Sequence, residues 1–274
     1  MHTPQTGLIG CGAMGSAIAQ GIAKGGRLAT DALWLFDLRK ESMAKLCKEL
    51  GARSASGLEE VCRNSQLIFV AVKPQDISSV LDKLKDHLKP SQVLISVAAG
   101  ISTRYLQKRL PEGSKVVRLM PNTPCLVGAG AIALSPGIAA TPEDVALVKE
   151  LLKPLGITVE IPESLMEAVT GLSGSGPAYI FLVLEALIDG GVEVGLSREM
   201  STDLAVQTVI GAAKMVQITN RHPAELKNAV TSPAGTTSTA LRVLEDAAIR
   251  GRFISAVAES TRRAVEMAGE VNDG

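Results

Sequence analysis

Short, mostly apolar runs alternate with amphipathic stretches through the first part of the chain, and that at 67–72 is continuously apolar. The runs lie at 7–9, 33–36, 67–72, 93–97 and 115–119, with two more at 130–134 and 157–161. A continuously apolar run bounded by turn residues reads as a strand buried on both faces. Helical spacing of apolar residues covers 14–24, 42–50, 75–88, 102–110 and 142–152. The last of these has a clear start signal: Thr141 stands where an N-cap belongs and Pro142 takes the first helical position. Alternation of this kind predicts a parallel sheet with helices on both faces. Residues 1–162 are therefore expected to form an N-terminal Rossmann-type doubly wound domain, in a chain of class α/β.

After Pro162 no strand pattern remains. Helical stretches are expected at 164–172, 177–190, 198–219, 223–230, 237–248 and 252–270. The segment 179–188 is apolar nearly all round, apart from Glu185. Such a helix must be buried on most faces, and a domain of roughly 110 residues has little interior in which to do so alone. Residues 163–274 are expected to form an all-α C-terminal dimerisation domain.

Composition supports this picture. Hydrophobic residues make up 46% of the chain and aromatics only 3%, so the cores are expected to be aliphatic. A mean hydropathy of +0.23 again suggests apolar surface buried between subunits. Lys and Arg number 28, as do Asp and Glu. With no net charge and no basic run, a nucleic-acid partner is not expected. Nor is a membrane: the opening residues lack a basic leader, and the longest nearly apolar run, 178–184, is too short to span a bilayer. Four cysteines without metal or disulfide spacing predict a cytoplasmic protein. No grouping of His, Cys and carboxylates calls for a metal. The histidines attract no role: His2 is terminal, His87 ends a polar helix and His222 falls in a turn.

The first run leads into Gly10-Cys11-Gly12-Ala13-Met14-Gly15, a G-x-G-x-x-G between strand and helix. Gly10 permits the turn, Gly12 lets a dinucleotide pyrophosphate approach the backbone, and Gly15 lets the helix pack on the strand. A helix start lowers a thiol pKa, but the plainer reading of Cys11 is a small residue filling a variable position.

Asp37 ends the second run, about 20 residues beyond the loop, where an acidic side chain binds ribose hydroxyls and favours NADH. Arg39 and Lys40 follow, and can pair with a 2′-phosphate, favouring NADPH. Either coenzyme remains open. Three further strand ends face the ligand crevice of such a sheet: Ala71-Val72-Lys73-Pro74, Ala98-Ala99-Gly100 and Met120-Pro121-Asn122-Thr123-Pro124. Lys73 can reach a phosphate or hydroxyl there.

In the helical half, two hydroxyl-rich glycine loops precede helices, at 173–179 and 231–239. Each suits a small carboxylate held at a helix start, although ordinary N-capping uses the same residues.

These stretches carry a resemblance. AVKP at 71–74, SVAAG at 96–100, MPNTP at 120–124, AVTGLSGSGPAY at 168–179 and LKNAVTSPAGTTSTAL at 226–241 resemble the pyrroline-5-carboxylate reductases. The likeness covers nearly the whole chain. It implies reduction of 1-pyrroline-5-carboxylate to L-proline by NADPH or NADH, the last step of proline biosynthesis. It also implies a homodimer or a ring of dimers, with the active site between the coenzyme domain and C-terminal helices, some from the partner. Thr237 and Lys73 are the catalytic candidates. Ser175, Gly176, Ser232, Gly235, Thr236 and Thr237 are the substrate candidates. The coenzyme candidates are the six residues of the glycine loop with Asp37, Arg39, Ala71, Val72, Lys73, Pro74, Ala98 and Ala99. Two other readings compete: a β-hydroxyacid dehydrogenase on the same plan, which needs a catalytic lysine motif not evident here, and a non-catalytic coenzyme sensor, which has no use for a carboxylate cradle.

Overall fold

The computed structural model describes residues 4–25 and 30–272; His2 lies outside the described residues. Eight strands form one sheet: β1 (Thr6–Ile9), β2 (Leu33–Phe36), β3 (Arg53–Ser54), β4 (Leu67–Val70), β5 (Val93–Ser96), β6 (Lys115–Met120), β7 (Gly130–Pro136) and β8 (Gly156–Glu160). Their order is β3-β2-β1-β4-β5-β6-β7-β8. The helices associated with them are α1 (Ala13–Lys24), α2 (Lys40–Leu50), α3 (Leu58–Asn64), α4 (Ile77–Leu84), α5 (Thr103–Arg109) and α6 (Pro142–Leu152).

The sheet is doubly wound, as expected, but not wholly parallel. β6 and β7 pair antiparallel, and β8 follows β7 in parallel. The link 121–129 explains the reversal, because a parallel crossover needs roughly a dozen residues or more. Two elements carry no expectation. β3 is a two-residue exposed edge, and α3 is a single short helix that buries Val61 and Cys62. The expected helix 75–88 is shorter, with a 3₁₀ turn at Pro74–Asp76 before α4.

Period-two alternation sorts the strands' side chains into two cores. Leu8, Phe69 and Ile95 face one helix layer with Ile18, Leu151 and Leu152. Ile9, Ile68, Val70 and Leu94 face the other with Val61, Leu81 and Leu106. Arg118 interrupts the apolar run of β6 and is 3% exposed. Its guanidinium lies 3.3 Å from Glu163 and 2.8 Å from Glu167. The Thr103 N–H also donates to Glu163, at 2.7 Å. The buried charge is thus paired with carboxylates of the segment that follows the sheet.

That segment contains a 3₁₀ turn (Glu163–Leu165), α7 (Met166–Val169) and a π-helical turn (Thr170–Gly174). Then come α8 (Gly176–Glu193), α9 (Arg198–Thr219), α10 (Pro223–Ala229), α11 (Thr236–Asp246) and α12 (Ile249–Asn272). Two compact units result: residues 1–175 with 259–274, and residues 176–258. The second unit is entirely helical among its described residues. Only Ser201 and Ala205 are buried in it. α8 is apolar, yet Phe181 and Leu182 are 63% and 65% exposed in the single chain. The helical run Glu163–Glu193 is also long and apolar enough to cross a membrane by length and composition, which the shorter run 178–184 does not anticipate.

The predicted start of α6 is present as a capping box. The Asp144 N–H donates to Thr141 Oγ1, and the Thr141 N–H donates to Asp144 Oδ2 at 2.9 Å. Lys115 pairs with the same carboxylate at 2.9 Å. Thr141→Ala is expected to lower stability by ~1 kcal/mol, read from urea unfolding followed at Trp34. The Asp144 carboxyl is held below its usual value: burial pushes it up, but hydrogen bonds from Thr141 and Lys115 outweigh that. A carboxyl held down by folding contributes stability above its unfolded pKa and loses it in acid. The stability gap between the native chain and Asp144→Asn is therefore expected to narrow as the pH drops from 7 through about 4.

Candidate active site

The glycine loop sits where three backbone segments converge. Gly10 has φ +98°, and a Cβ there would stand 2.5 Å from the Ala71 carbonyl oxygen. A Cβ on Gly15 would stand 1.9 Å from the carbonyl oxygen of Gly10. No side chain fits at either position. Gly12 differs: its missing Cβ faces only Arg39 Nη2, at 3.7 Å. The backbone at Gly12 is thus open on the side a ligand would use. Gly12 is also the N-cap of α1 and gives no side-chain hydrogen bond to the first turn. The N–H groups of Ala13, Met14 and Gly15 stand at this helix start, where an α-helix supplies no internal acceptors. The arrangement fits a dinucleotide pyrophosphate, as the motif predicts.

Asp37, just past the end of β2, makes two contacts with backbone. Its Oδ2 accepts from the Cys11 N–H at 2.6 Å and its Oδ1 from the Arg39 N–H at 2.7 Å. The side chain is 9% exposed. Both oxygens therefore hold backbone, one of them in the glycine loop itself. The Arg39 guanidinium stays 69% exposed, with Nε 3.6 Å from Asp37, and extends over Gly12. Cys11 is buried, and burial pushes its thiol up to about 12, with the Asp37 carboxylate adding to the rise. That burial agrees with a small residue filling a variable position of the loop.

At the end of β4, the Ala71 N–H donates to the Ile9 carbonyl at 2.8 Å, and its own carbonyl covers Gly10. Val72 and Pro74 are half-buried, and Lys73 is exposed at the head of the 3₁₀ turn. After β5, Ala98 is buried in the core and presents only backbone, whereas Ala99 is exposed. The coenzyme candidates thus gather at the carboxyl ends of β1, β2, β4 and β5.

The loop at 173–175 is shaped by the π turn. The Ser175 N–H donates to the Thr170 carbonyl at 2.9 Å, five residues back. Thr170 and Ser173 turn their hydroxyls onto helix carbonyls. Ser175 keeps its hydroxyl 2.9 Å from that of Ser260 on α12. Gly176 opens α8 with free space where a Cβ would stand. Asn122, past the end of β6, donates to the Ser173 carbonyl at 3.0 Å. Ser260 and Asn122 join this region with no expectation attached. Asn122 lies inside the quoted MPNTP, whereas nothing in the helical spacing around Ser260 marks it out.

In the second unit, the loop at 231–235 turns through Ala234 with φ +58°. A Cβ on Gly235 would meet Ser232 Oγ at 2.2 Å, so only glycine lets that hydroxyl sit so close. Gly235 is the N-cap of α11 and provides no side-chain cap. Thr231, Ser238 and Thr239 turn their hydroxyls back onto carbonyls. The Thr236 and Thr237 hydroxyls make no hydrogen bond among the described residues. Ordinary capping therefore does not account for this loop, and its helix start remains available to an anion. His222, expected in a plain turn, instead caps α10 by accepting from the Ala224 N–H.

Known proteins agree with both halves. A family model for pyrroline-5-carboxylate reductase dimerisation matches residues 163–267, and one for coenzyme F420-dependent NADP oxidoreductases matches residues 5–100. A pyrroline-5-carboxylate reductase of Methanosarcina acetivorans is 44% identical over 97% of this chain and 99% of its own. Solved structures of such reductases superpose end to end. The one from Coxiella burnetii has TM-score 0.91 and 33% identity over 97% of this chain and 99% of its own. That from Plasmodium falciparum, with NADP bound, has TM-score 0.88 and 35% identity over 98% and 99%. On this near-complete coverage at more than a third identity, with the two C-terminal motifs in place, the chain belongs to the pyrroline-5-carboxylate reductase family.

Proposed function

We propose that this chain reduces 1-pyrroline-5-carboxylate to L-proline with NAD(P)H, the last step of proline biosynthesis. The observation that carries the substrate reading is the start of α11. There Thr236 and Thr237 bring unpartnered hydroxyls to a helix N-terminus without a side-chain cap. Free N–H groups and the positive end of the helix dipole favour an anion by ~0.3–2 kcal/mol. The substrate carboxylate is assigned to this loop, with Ser232 kept close by Gly235. Ser175 and Gly176 are assigned to the substrate as well.

Reduction adds a hydride to the imine carbon and a proton to the nitrogen. Thr237 is assigned to the nitrogen. A lone hydroxyl is a weak acid, so its role is to orient the imine and relay a proton. When bound, the reduced nicotinamide supplies the hydride. The glycine loop holds the pyrophosphate. Residues 71–74 and Ala99, with the backbone of Ala98, flank the rest of the coenzyme, and Lys73 orients the ribose next to the nicotinamide. NADPH is the preferred donor. The Asp37 carboxylate is already engaged by two N–H groups and nearly buried, while Arg39 leaves its guanidinium exposed beside Gly12. The charge available to a 2′-phosphate is therefore positive.

The assembly is a homodimer, able to grow into a ring of dimers. A twofold mate covers the apolar α8, which accounts for its sequence better than a bilayer does, since the dimerisation match spans the same residues. The protein works in the cytoplasm, where its four free cysteines remain reduced. It uses neither nucleic acid nor membrane.

Four substitutions and a mass measurement test these assignments. Thr237→Ala is expected to lower kcat by roughly tenfold, ~1.4 kcal/mol of barrier, with little change in KM for the imine; unchanged kinetics would remove Thr237 from the mechanism. Arg39→Gln is expected to weaken NADPH by roughly 10–100-fold, about 1.5–3 kcal/mol for a charged hydrogen bond, and to leave NADH alone. Asp37→Asn is expected to weaken both coenzymes alike, and a selective gain for NADPH would restore Asp37 as a 2′-phosphate excluder. Light scattering is expected to give at least twice 28.6 kDa, and Leu182→Arg to shift the mass towards one subunit; a native monomer refutes the assembly.

A further inference from the structure

The face of β6 that carries Arg118 continues through Met120 to Asn122, because alternate residues share one side of a strand. All three meet the segment 163–174. Arg118 pairs with Glu163 and Glu167. Met120 places its terminal methyl 2.8 Å from where a Gly174 Cβ would stand. Asn122 donates from Nδ2 to the Ser173 carbonyl at 3.0 Å and accepts at Oδ1 from the Ala131 N–H at 2.9 Å. Its side chain is largely buried, the residue being 8% exposed.

The amide's orientation follows from its partners. An N–H facing Oδ1 requires the acceptor end there, so Nδ2 must face the carbonyl of Ser173. That carbonyl belongs to the π-helical turn. A π turn is rare and occurs mostly as a single widened turn, frequently at functional sites. Here it sets where Ser175 emerges, because the Ser175 N–H closes the five-residue ring onto Thr170. Gly174 helps by leaving room for Met120.

We infer that Asn122 is a positioning residue for substrate: it locks the π turn at 170–174 and so fixes the Ser175 hydroxyl and the first residue of α8. The inference rests on the reading that Ser175 and Gly176 touch the substrate. Asn122 itself touches neither substrate nor coenzyme in this role. An aspartate in its place matches its shape and can still accept from Ala131, but turns an oxygen towards the Ser173 carbonyl and loses the donor.

The test uses the full-length enzyme and two variants, Asn122→Asp and Ser175→Ala. Asn122→Asp is expected to raise KM for the imine about tenfold while the dissociation constant for NADPH, measured by calorimetry without substrate, stays within about twofold. Backbone hydrogen exchange in the peptide spanning 170–176 is expected to speed up at least tenfold, with exchange in β1 and α1 unchanged. Asn122→Ala serves where the aspartate variant fails to fold, with the same expectations. Unchanged exchange at 170–176, or coenzyme binding that falls as far as imine binding, overturns the inference. Ser175→Ala separates the underlying reading from the inference. If it leaves imine KM unchanged while Asn122→Asp still loosens the turn, the substrate role of the loop is wrong and positioning for substrate falls with it. If Ser175→Ala raises KM and Asn122→Asp does not, the loop binds substrate and Asn122 does not position it.

Discussion

The coenzyme half is built around a backbone contact that leaves no room for a methyl group. The start of α1 presses on the Gly10 carbonyl so closely that a Cβ on Gly15 would stand 1.9 Å from its oxygen, and Gly10 presses on the Ala71 carbonyl. This convergence brings the first helical N–H groups to the carboxyl ends of β1 and β4. Larger residues would have to push the helix away from the sheet, and the anion site would open with it. The two aliphatic cores follow from the same sheet and hold the contact in place, since both α1 and the strands beneath it are tightly packed.

Asp37 takes part in that constraint. By sequence position it is an acidic residue at the end of the second strand, and its spacing alone suits a ribose hydroxyl. Its carboxylate is instead turned onto the Cys11 N–H, where it braces the loop from behind. Spacing can show which residue stands at a strand end, but not which donors its side chain finds first. The nearest unsatisfied donors are backbone N–H groups 2.6 and 2.7 Å away, and hydrogen bonds to a charged acceptor are among the stronger local choices. The exposed positive charge left at this corner is then that of Arg39 and Lys40.

Legibility elsewhere tracked how far an element depends on its own sequence. Helical periodicity predicts 198–219, and α9 has those bounds; an apolar run predicts β2 at 33–36, as found, and a capping signal predicts the start of α6. The direction of β7 is set by the length of the link before it rather than by its own residues. β3 is two polar residues whose only claim to be a strand is pairing with β2. In the site, the glycine loop and both hydroxyl loops were visible as motifs. The π turn was not, because the residues that touch it, Met120 and Asn122, lie far away in sequence. A charged residue within the apolar run of β6 was a usable signal that something polar must meet it.

The second unit raises a different physical question. Of its described residues only Ser201 and Ala205 are buried, so much of the hydrophobic stabilisation that normally offsets chain entropy is missing in one copy. Local helix propensity does not make up the difference, since isolated helices of this length are marginal in water. Yet α8 carries Ile180, Phe181, Leu182 and Leu187 on its exposed surface. If a second copy covers them, as proposed above, folding of this unit and association become one process, and its stability rises with protein concentration. The hydroxyl loop before α11 lies in this unit, so the carboxylate cradle would then be ordered by assembly as much as by its own turn, and dilution would weaken substrate binding before it weakened the coenzyme site.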